Sequence, residues 1–496
     1  MNDAATTAAV TRMQQLLLDG PQGLHEGELL ALVEDVFTRR RSSLLEAAQR
    51  FGTPLYVVHT DLLQQQANRF TAAFSRPGLT SRVHYAFKAN PSAVVVDTLR
   101  QAGIAADVSS GLELELALRS GFQRIVFSGP AKTDVDLENA VLAADRVTVH
   151  LDSFAELERL QVIAGRLSRP IRAGVRLSLA AHGAWTKFGL PPAALPEFVQ
   201  RASTCHQVDL QGVQFHLSWQ RDGDGYARTL ADLGPLLRLH APAGGWRFVD
   251  VGGGFYPEDD EAVYPWRTPQ GRLQVLLGLA AEGPAADWDG RYLLHTVQPI
   301  ETIAATVIEA FCQHIDAGDR GVELWLEPGR YLANPAVTIL LQVADVKSPE
   351  VAITDGGTNL LGWERLEEEH VPLLNLTRPA RSQRHGRVYG SLCTPHDVWG
   401  YTCYAEDLQV GDILALPAQG SYVQTLQQAF IKPIAATVVQ DTDGRVQRIV
   451  DEESFAARYP ELFSGRYPER FSGRYPERFA GRYPESAGAE AAAQPA

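Results

Sequence analysis

From residue 55 onward, short runs rich in β-branched and aromatic residues alternate with stretches whose apolar positions recur at helical spacing. Eight such runs stand at 82–87, 105–109, 124–128, 146–151, 171–177, 212–217, 247–251 and 323–326. Amphipathic segments such as 111–120 and 154–167 lie between them. Strands alternating with helices predict parallel pairing through crossovers, and eight of them predict an α/β chain closed into a (β/α)8 TIM barrel. An open doubly wound sheet is the alternative. Ahead of this region, residues 12–18 and 26–50 carry apolar residues at helical spacing. After Arg330 the pattern changes: runs at 337–345, 351–354, 386–389, 413–416 and 436–440 are separated by turn residues, without crossover helices. The chain is therefore divided into a helical segment at 1–50, expected to pack on a β-rich domain, a barrel at 51–332, the C-terminal β-rich domain at 333–450, and a tail at 451–496.

Two stretches break the pattern. Between the seventh run and the helix near 302–314, residues 257–298 form a long excursion with Pro257, Pro265, Trp266 and Trp288. Connections of this length usually serve a function or lack order. This one leaves the carboxyl end of a barrel strand, so it is expected either to cover the catalytic mouth or to be a surface excursion. In the tail, Arg-Tyr-Pro-Glu recurs at 458, 466, 474 and 482. The repeat reads as a partly disordered segment, with a docking segment that presents tyrosines as the alternative.

Composition narrows the function classes. A chain of 496 residues can bury a large core. Its net charge of −14 disfavours nucleic acid and anionic membrane as main partners, although a local positive site could still take an anionic ligand. The four cysteines, Cys205, Cys312, Cys393 and Cys403, form no CxxC pair and no Cys/His cluster, so no metal site is expected. Scattered thiols fit a reducing, cytoplasmic setting. No signal peptide and no membrane-spanning run is read from the sequence.

The candidate chemistry lies at strand ends. Tyr85-Ala86-Phe87-Lys88-Ala89-Asn90 delivers one lysine to the carboxyl end of the first barrel strand, and Pro91 is expected to open a helix. A lysine there can form a Schiff base with a carbonyl cofactor; a solvated charge is the plainer reading. Asp250-Val251-Gly252-Gly253-Gly254-Phe255 follows the seventh run, where backbone N–H groups free of Cβ atoms can close on a phosphate. Glu327-Pro328-Gly329-Arg330 follows the eighth. Its carboxylate could keep a pyridine nitrogen protonated, and its guanidinium could pair with phosphate. His216 ends the sixth run, where an imidazole could stack on a ring or serve structure alone. In the β-rich domain, Gly390-Ser391-Leu392-Cys393-Thr394-Pro395-His396-Asp397 joins a thiol to a carboxylate, and Gly420-Ser421-Tyr422 offers a phenol.

In type and order these motifs resemble the fold-type III pyridoxal phosphate (PLP) enzymes, the two-domain group of diaminopimelate, ornithine and arginine decarboxylases. The resemblance covers roughly residues 50–435 and rests on YAFKAN, DVSSGLELE, TKFG, HLS, DVGGGF, EPGR, the Cys393…Asp397 segment and GSY. It implies an alanine racemase-like barrel and a PLP-dependent carboxy-lyase acting on an amino acid or a derivative of one. It implies that Lys88 carries the cofactor, that His216 stacks on the ring and that Glu327 binds its nitrogen. Gly252, Gly253, Gly254, Gly329, Arg330 and Tyr422 would hold the phosphate, and Asp107 and Arg176 would lie near the cofactor. Cys393 would be given by the second subunit of a homodimer as proton donor, with Asp355, Thr394 and Asp397 near the far end of the substrate.

Three departures from the family pattern stand out. Ser218 and Trp219 replace the Gly-Ser of the usual His-x-Gly-Ser. Thr394 replaces the acidic residue that usually follows the cysteine. The segment after Asp355-Gly356 lacks an Arg-Pro pair. The last two fall where the substrate's far end is read. They point away from diaminopimelate toward a modified amino acid, as in siderophore or other natural-product pathways. A racemase on the same fold and a cofactor-free regulatory homologue are the alternatives.

Overall fold

The computed structural model describes residues 3–19, 29–179, 184–258, 262–278, 292–294, 296–316, 321–362 and 365–460. Its centre is a closed barrel of eight parallel strands: Ser81–Ala86, Ala105–Val108, Ile125–Phe127, Val147–Leu151, Ile171–Leu177, Val208–Phe215, Phe248–Asp250 and Glu323–Leu326. The eighth strand closes the ring by pairing with both the seventh and the first, with Leu324 opposite Val249 and Ser81. Strands covered on both faces need not alternate; accordingly all five residues of Val147–Leu151 are buried. The helices start where the sequence supplies caps. Ser153 accepts the Glu156 N–H at the head of Phe154–Leu167, which then buries Leu157, Leu160, Ile163 and Ala164 against the barrel.

The second domain is a nine-stranded sheet with Val337–Ser348 near its middle. One of its strands comes from the other end of the chain. Leu55–His59 pairs antiparallel with Val337–Ser348 and in parallel with Ala436–Gln440. The segment assigned to the barrel from residue 51 therefore begins in this sheet, and the chain crosses to the barrel only at the helix Thr60–Ala73. Val398–Tyr404, Leu374–Asn375 and Val446–Val450 are further strands that the hydrophobic pattern did not single out.

The run expected as one helix over 26–50 is three pieces, Leu30–Asp35, a π turn Val36–Arg40 and Arg41–Phe51; residues 26–28 lie outside the described ones. Val33, Val36, Phe37, Leu44 and Ala47 pack on Leu55, Val57, Leu340 and Val438 of the sheet. Arg40, within the π turn, binds Asp35 and Asp61. In the excursion, Ala262–Val263 joins Leu293–Leu294 and Glu369–His370 in a small sheet. Tyr264 and Trp266 pack on Tyr401, and Trp266 Nε1 donates to the Glu367 carbonyl. This part of the excursion thus lies on the β-rich domain. The repeat region from residue 461 falls outside the described residues. Among those described, no helix is long and apolar enough to cross a membrane.

Candidate active site

Lys88 stands just past its strand, in a single 3-10 turn, Phe87–Ala89. Phe87 and Ala89 are fully buried, which leaves Lys88 as the residue of the turn that faces the barrel mouth. The turn is pinned to the second domain. The Ala89 carbonyl accepts the Tyr422 N–H at 2.8 Å, and Asn90 Nδ2 donates to the Gly420 carbonyl. Asn90 Oδ1 also accepts the Ser92 N–H. Ser92, not Pro91, is the residue that precedes the next helix, Ala93–Gln101.

A cavity of about 480 Å³ opens at the carboxyl ends of the strands. Lys88, Arg176, His216, Gly253, Gly254, Glu327, Gly329, Arg330 and Tyr422 all line it. Its base is acidic and buried. Asp107, 1% exposed, places Oδ2 3.8 Å from Lys88 Nζ and accepts Ser128 Oγ–H at 2.6 Å. Burial would lower the lysine's affinity for its proton. The Asp107 charge, helped by Tyr422 and Glu327, outweighs that and holds the ammonium above its ordinary range. Glu327 is pushed well above the carboxylate range by burial first, then by Asp107 and Asp250. Burial likewise raises Asp250, to about 7. Gln214 Nε2 donates to Glu327 Oε2 at 3.2 Å, and His150 lies between the two acids, 3.7 Å from Glu327 and 4.0 Å from Asp250.

The glycine loop is a cradle that side chains would fill. A Cβ on Gly252 would sit 2.5 Å from the Phe215 carbonyl oxygen and one on Gly253 2.5 Å from that of Glu327, and Gly252 has φ +73°. The Gly253 N–H donates to His216 Nδ1 at 3.2 Å. That bond requires a lone pair on Nδ1, and burial beside Lys88 and Arg176 also holds this imidazole neutral. Arg330 lies between two phenol rings, 5.2 Å from the centroid of Tyr256 and 5.1 Å from that of Tyr422. Arg176 stacks on Phe188 at 4.4 Å.

Apart from Tyr422, the residues named from the second domain lie elsewhere. Cys393 is exposed and does not line the cavity. Asp397 is buried in its own turn, with Oδ1 accepting Thr358 N–H and Oδ2 accepting Leu392 N–H, both at 2.6 Å. Asp355 accepts Thr53 Oγ–H and the Gln342 N–H, and Thr394 sits beside Cys393 in that turn. The sequence reading missed Gln214, His150, Ser128 and Tyr256, and quoted Asp250 in the glycine motif without giving it a role. Gln214 was within reach of it, since it stands two positions before His216 and so on the same strand face.

Residues 60–334 match the family described as pyridoxal-dependent decarboxylase, pyridoxal binding domain. The chain belongs to this family. It is 26% identical over 435 residues to the diaminopimelate decarboxylase of Aquifex aeolicus, covering 83% of this chain and 92% of that one. It is 28% identical over 441 residues to that of Mycobacterium tuberculosis, covering 83% and 91%. Its fold matches the diaminopimelate decarboxylase of M. jannaschii in co-complex with L-lysine with a TM-score of 0.69 at 23% identity, over 84% and 94% of the chains. The lysine/ornithine decarboxylase of Vibrio vulnificus matches with a TM-score of 0.60 at 21% identity, over 79% and 95%. The protein is a PLP-dependent carboxy-lyase of the fold-type III group, acting on an amino-acid substrate.

The site fits that cofactor. Glu327 Oε1, Asp107 Oδ2 and Asp250 Oδ2 are buried without a hydrogen-bond partner among the described residues. Buried polar atoms of this kind call for a partner. A protonated pyridine nitrogen would supply one to Glu327, and the Gly254 N–H with Arg330 would suit a phosphate. His150, Asp250 and Glu327 could also bring three ligand atoms within 4.8 Å of one another, but Glu327 is here committed to the cofactor cavity.

Proposed function

We propose that the enzyme removes the α-carboxylate of an amino-acid derivative other than diaminopimelate, and that it does so as a homodimer. The observation that carries the catalytic part is the convergence of Lys88, Glu327 and Arg330, from the first and last strands of the barrel, on one cavity. Lys88 would hold PLP through its amine and later release product. When a substrate amine takes its place, the freed Lys88 amine would take up the proton, and the Asp107 charge would stabilise the ammonium so formed. Glu327, steadied by Gln214, would share a proton with the ring nitrogen, and His216, fixed by the Gly253 N–H, would present its flat face to the ring. Gly252, Gly253, Gly254, Gly329, Arg330 and Tyr422 would bind the phosphate. When bound, PLP supplies an electron sink for the electron pair left as CO2 departs.

The exposed position of Cys393, away from its own chain's cavity, supports its donation to a partner subunit's site as proton donor. Asp355, Thr394 and Asp397 would shape the substrate's far end there, with Asp397 holding the turn. Thr394 in place of the usual acidic residue supports a substrate other than diaminopimelate, as in siderophore or other natural-product chemistry. A CO2-release screen over diaminopimelate, ornithine, arginine, lysine, glutamate and citryl-amino acid conjugates tests the substrate. A highest kcat/KM on diaminopimelate would overturn that part. Co-expression of the Lys88→Ala and Cys393→Ala chains tests the dimer: mixed assemblies should regain the activity that each variant lacks alone, and absence of rescue defeats the shared site.

A further inference from the structure

The opposite end of the barrel carries a second cavity, of about 370 Å³, that the decarboxylation chemistry does not use. Its wall is built from strand beginnings. Arg82 and Arg172 stand second in the first and fifth strands, and Arg124, Arg146 and Arg247 stand immediately before the third, fourth and seventh. Five guanidinium groups thus line one concavity in a chain of net charge −14. The one carboxylate in the wall is Glu323, paired with Arg82. Arg172 Nη2 donates to the Ala144 and Asp145 carbonyl oxygens, neutral partners that leave its charge uncancelled. Asp145 lies 3.9 Å from Arg146 at the edge, and Asp209, nearby, is bound by Gln211. Among the described residues no carboxylate pairs with Arg124, Arg172 or Arg247. The exposed Arg124 and Arg247 leave the cavity open to solvent.

We propose that this amino-terminal mouth of the barrel binds a small polyanion, one with two or more adjacent phosphate or carboxylate groups. Converging guanidinium groups around a concave site focus positive potential and offer paired N–H donors that match such groups. A solvated rim would be expected to intersperse signs, as the Asp97–Arg100 and Glu115–Arg119 pairs do on the outer helices. In the wall of this cavity Glu323 alone stands against five arginines.

The test is calorimetric titration of the PLP-loaded enzyme, so that the cofactor's own phosphate fills the glycine loop. Inorganic pyrophosphate is the first titrant and malonate the second, which separates a phosphate from a carboxylate ligand. Saturable binding of either, one per chain, is expected, weakening steeply with added salt. The double variant Arg124→Gln/Arg247→Gln, both side chains being exposed, should weaken it at least tenfold while cofactor content and turnover stay as in the parent. Arg330→Gln, at the other mouth, should leave the binding in place wherever cofactor remains loaded. Absence of saturable binding of both titrants, or binding that survives Arg124→Gln/Arg247→Gln unchanged, overturns the proposal.

Discussion

The two ends of the barrel are made by the same eight strands and solve opposite electrostatic problems. At the carboxyl end, Asp107, Asp250 and Glu327 are sealed from water, at 1%, 0% and 2% exposure, and their charges are held by one lysine, by N–H groups and by protons. At the amino end, arginines outnumber carboxylates and remain wet. Burial makes each carboxyl dependent on its neighbours, so removing one group changes chemistry. Exposure makes each arginine nearly independent, so removing one changes only a field. The contrast orders the effects expected of substitution.

The largest belongs to Lys88. Lys88→Ala should abolish turnover and the visible absorbance of the bound cofactor, read by spectrophotometry on the purified protein; a variant that keeps both would remove the lysine from the mechanism. Next comes the buried pair beneath the same mouth. Lys132 Nζ lies 2.8 Å from Glu156 Oε1, both nearly inaccessible, and also donates to the Gly129 and His150 carbonyl oxygens. Gly129 lines the cofactor cavity. Lys132→Met strands a buried carboxylate and should cost about 3–5 kcal/mol in chemical denaturation. A loss under 1 kcal/mol would mean that water reaches Glu156.

What could be seen in the chain follows the same division. Local motifs were legible because each places its chemistry within a few residues of a strand end: Lys88 after one strand, Gly252–Gly254 and Glu327–Arg330 after two others. The groups that tune them come from distant segments and carry no local mark. His150 is an ordinary buried position of its strand, and its role arises only when the barrel closes it against Glu327 and Asp250. Leu55–His59 was not among the runs singled out, and nothing nearby reveals that its partners are Val337–Ser348 and Ala436–Gln440. The amino-end arginines were visible one by one at strand starts, and became a group only in the closed ring.

Glu327→Gln comes third. It keeps the shape and the Gln214 contact while removing the acid proposed to share the ring nitrogen's proton, so kcat should fall on the order of 10²-fold. Cofactor content should change less than kcat; equal losses would make Glu327 a binding group only. The same substitution bears on pH. Glu327 and Asp250 hold protons in the folded apoenzyme to higher pH than in the unfolded chain, Asp250 from an ordinary 3.8 to about 7. In that window the folded state binds more protons, so stability falls as pH rises. The apoenzyme's Tm should therefore decline from about pH 5 to pH 7, and Glu327→Gln should flatten the decline. A flat parent profile would show that these acids are ionised in the fold.

The smallest effect is expected at the amino end. Burial acts to raise Glu323, but the Arg82 guanidinium and the Trp325 indole N–H overcome it and lower its pKa. Its linkage therefore has the opposite sign to that of Glu327: stability is gained above the ordinary carboxylate range and lost as pH falls below it. Arg82 and Glu323 are 27% and 25% exposed, so solvent screens the pair. Arg82→Met should cost about 1 kcal/mol or less at neutral pH. The cost should shrink further as pH falls below the ordinary carboxylate range, where Glu323 takes up a proton first in the unfolded chain and, at lower pH, in the fold. A cost as large as that of Lys132→Met would mean that the arginine-lined mouth is as dry as the cofactor's, and the division between the two ends would fail.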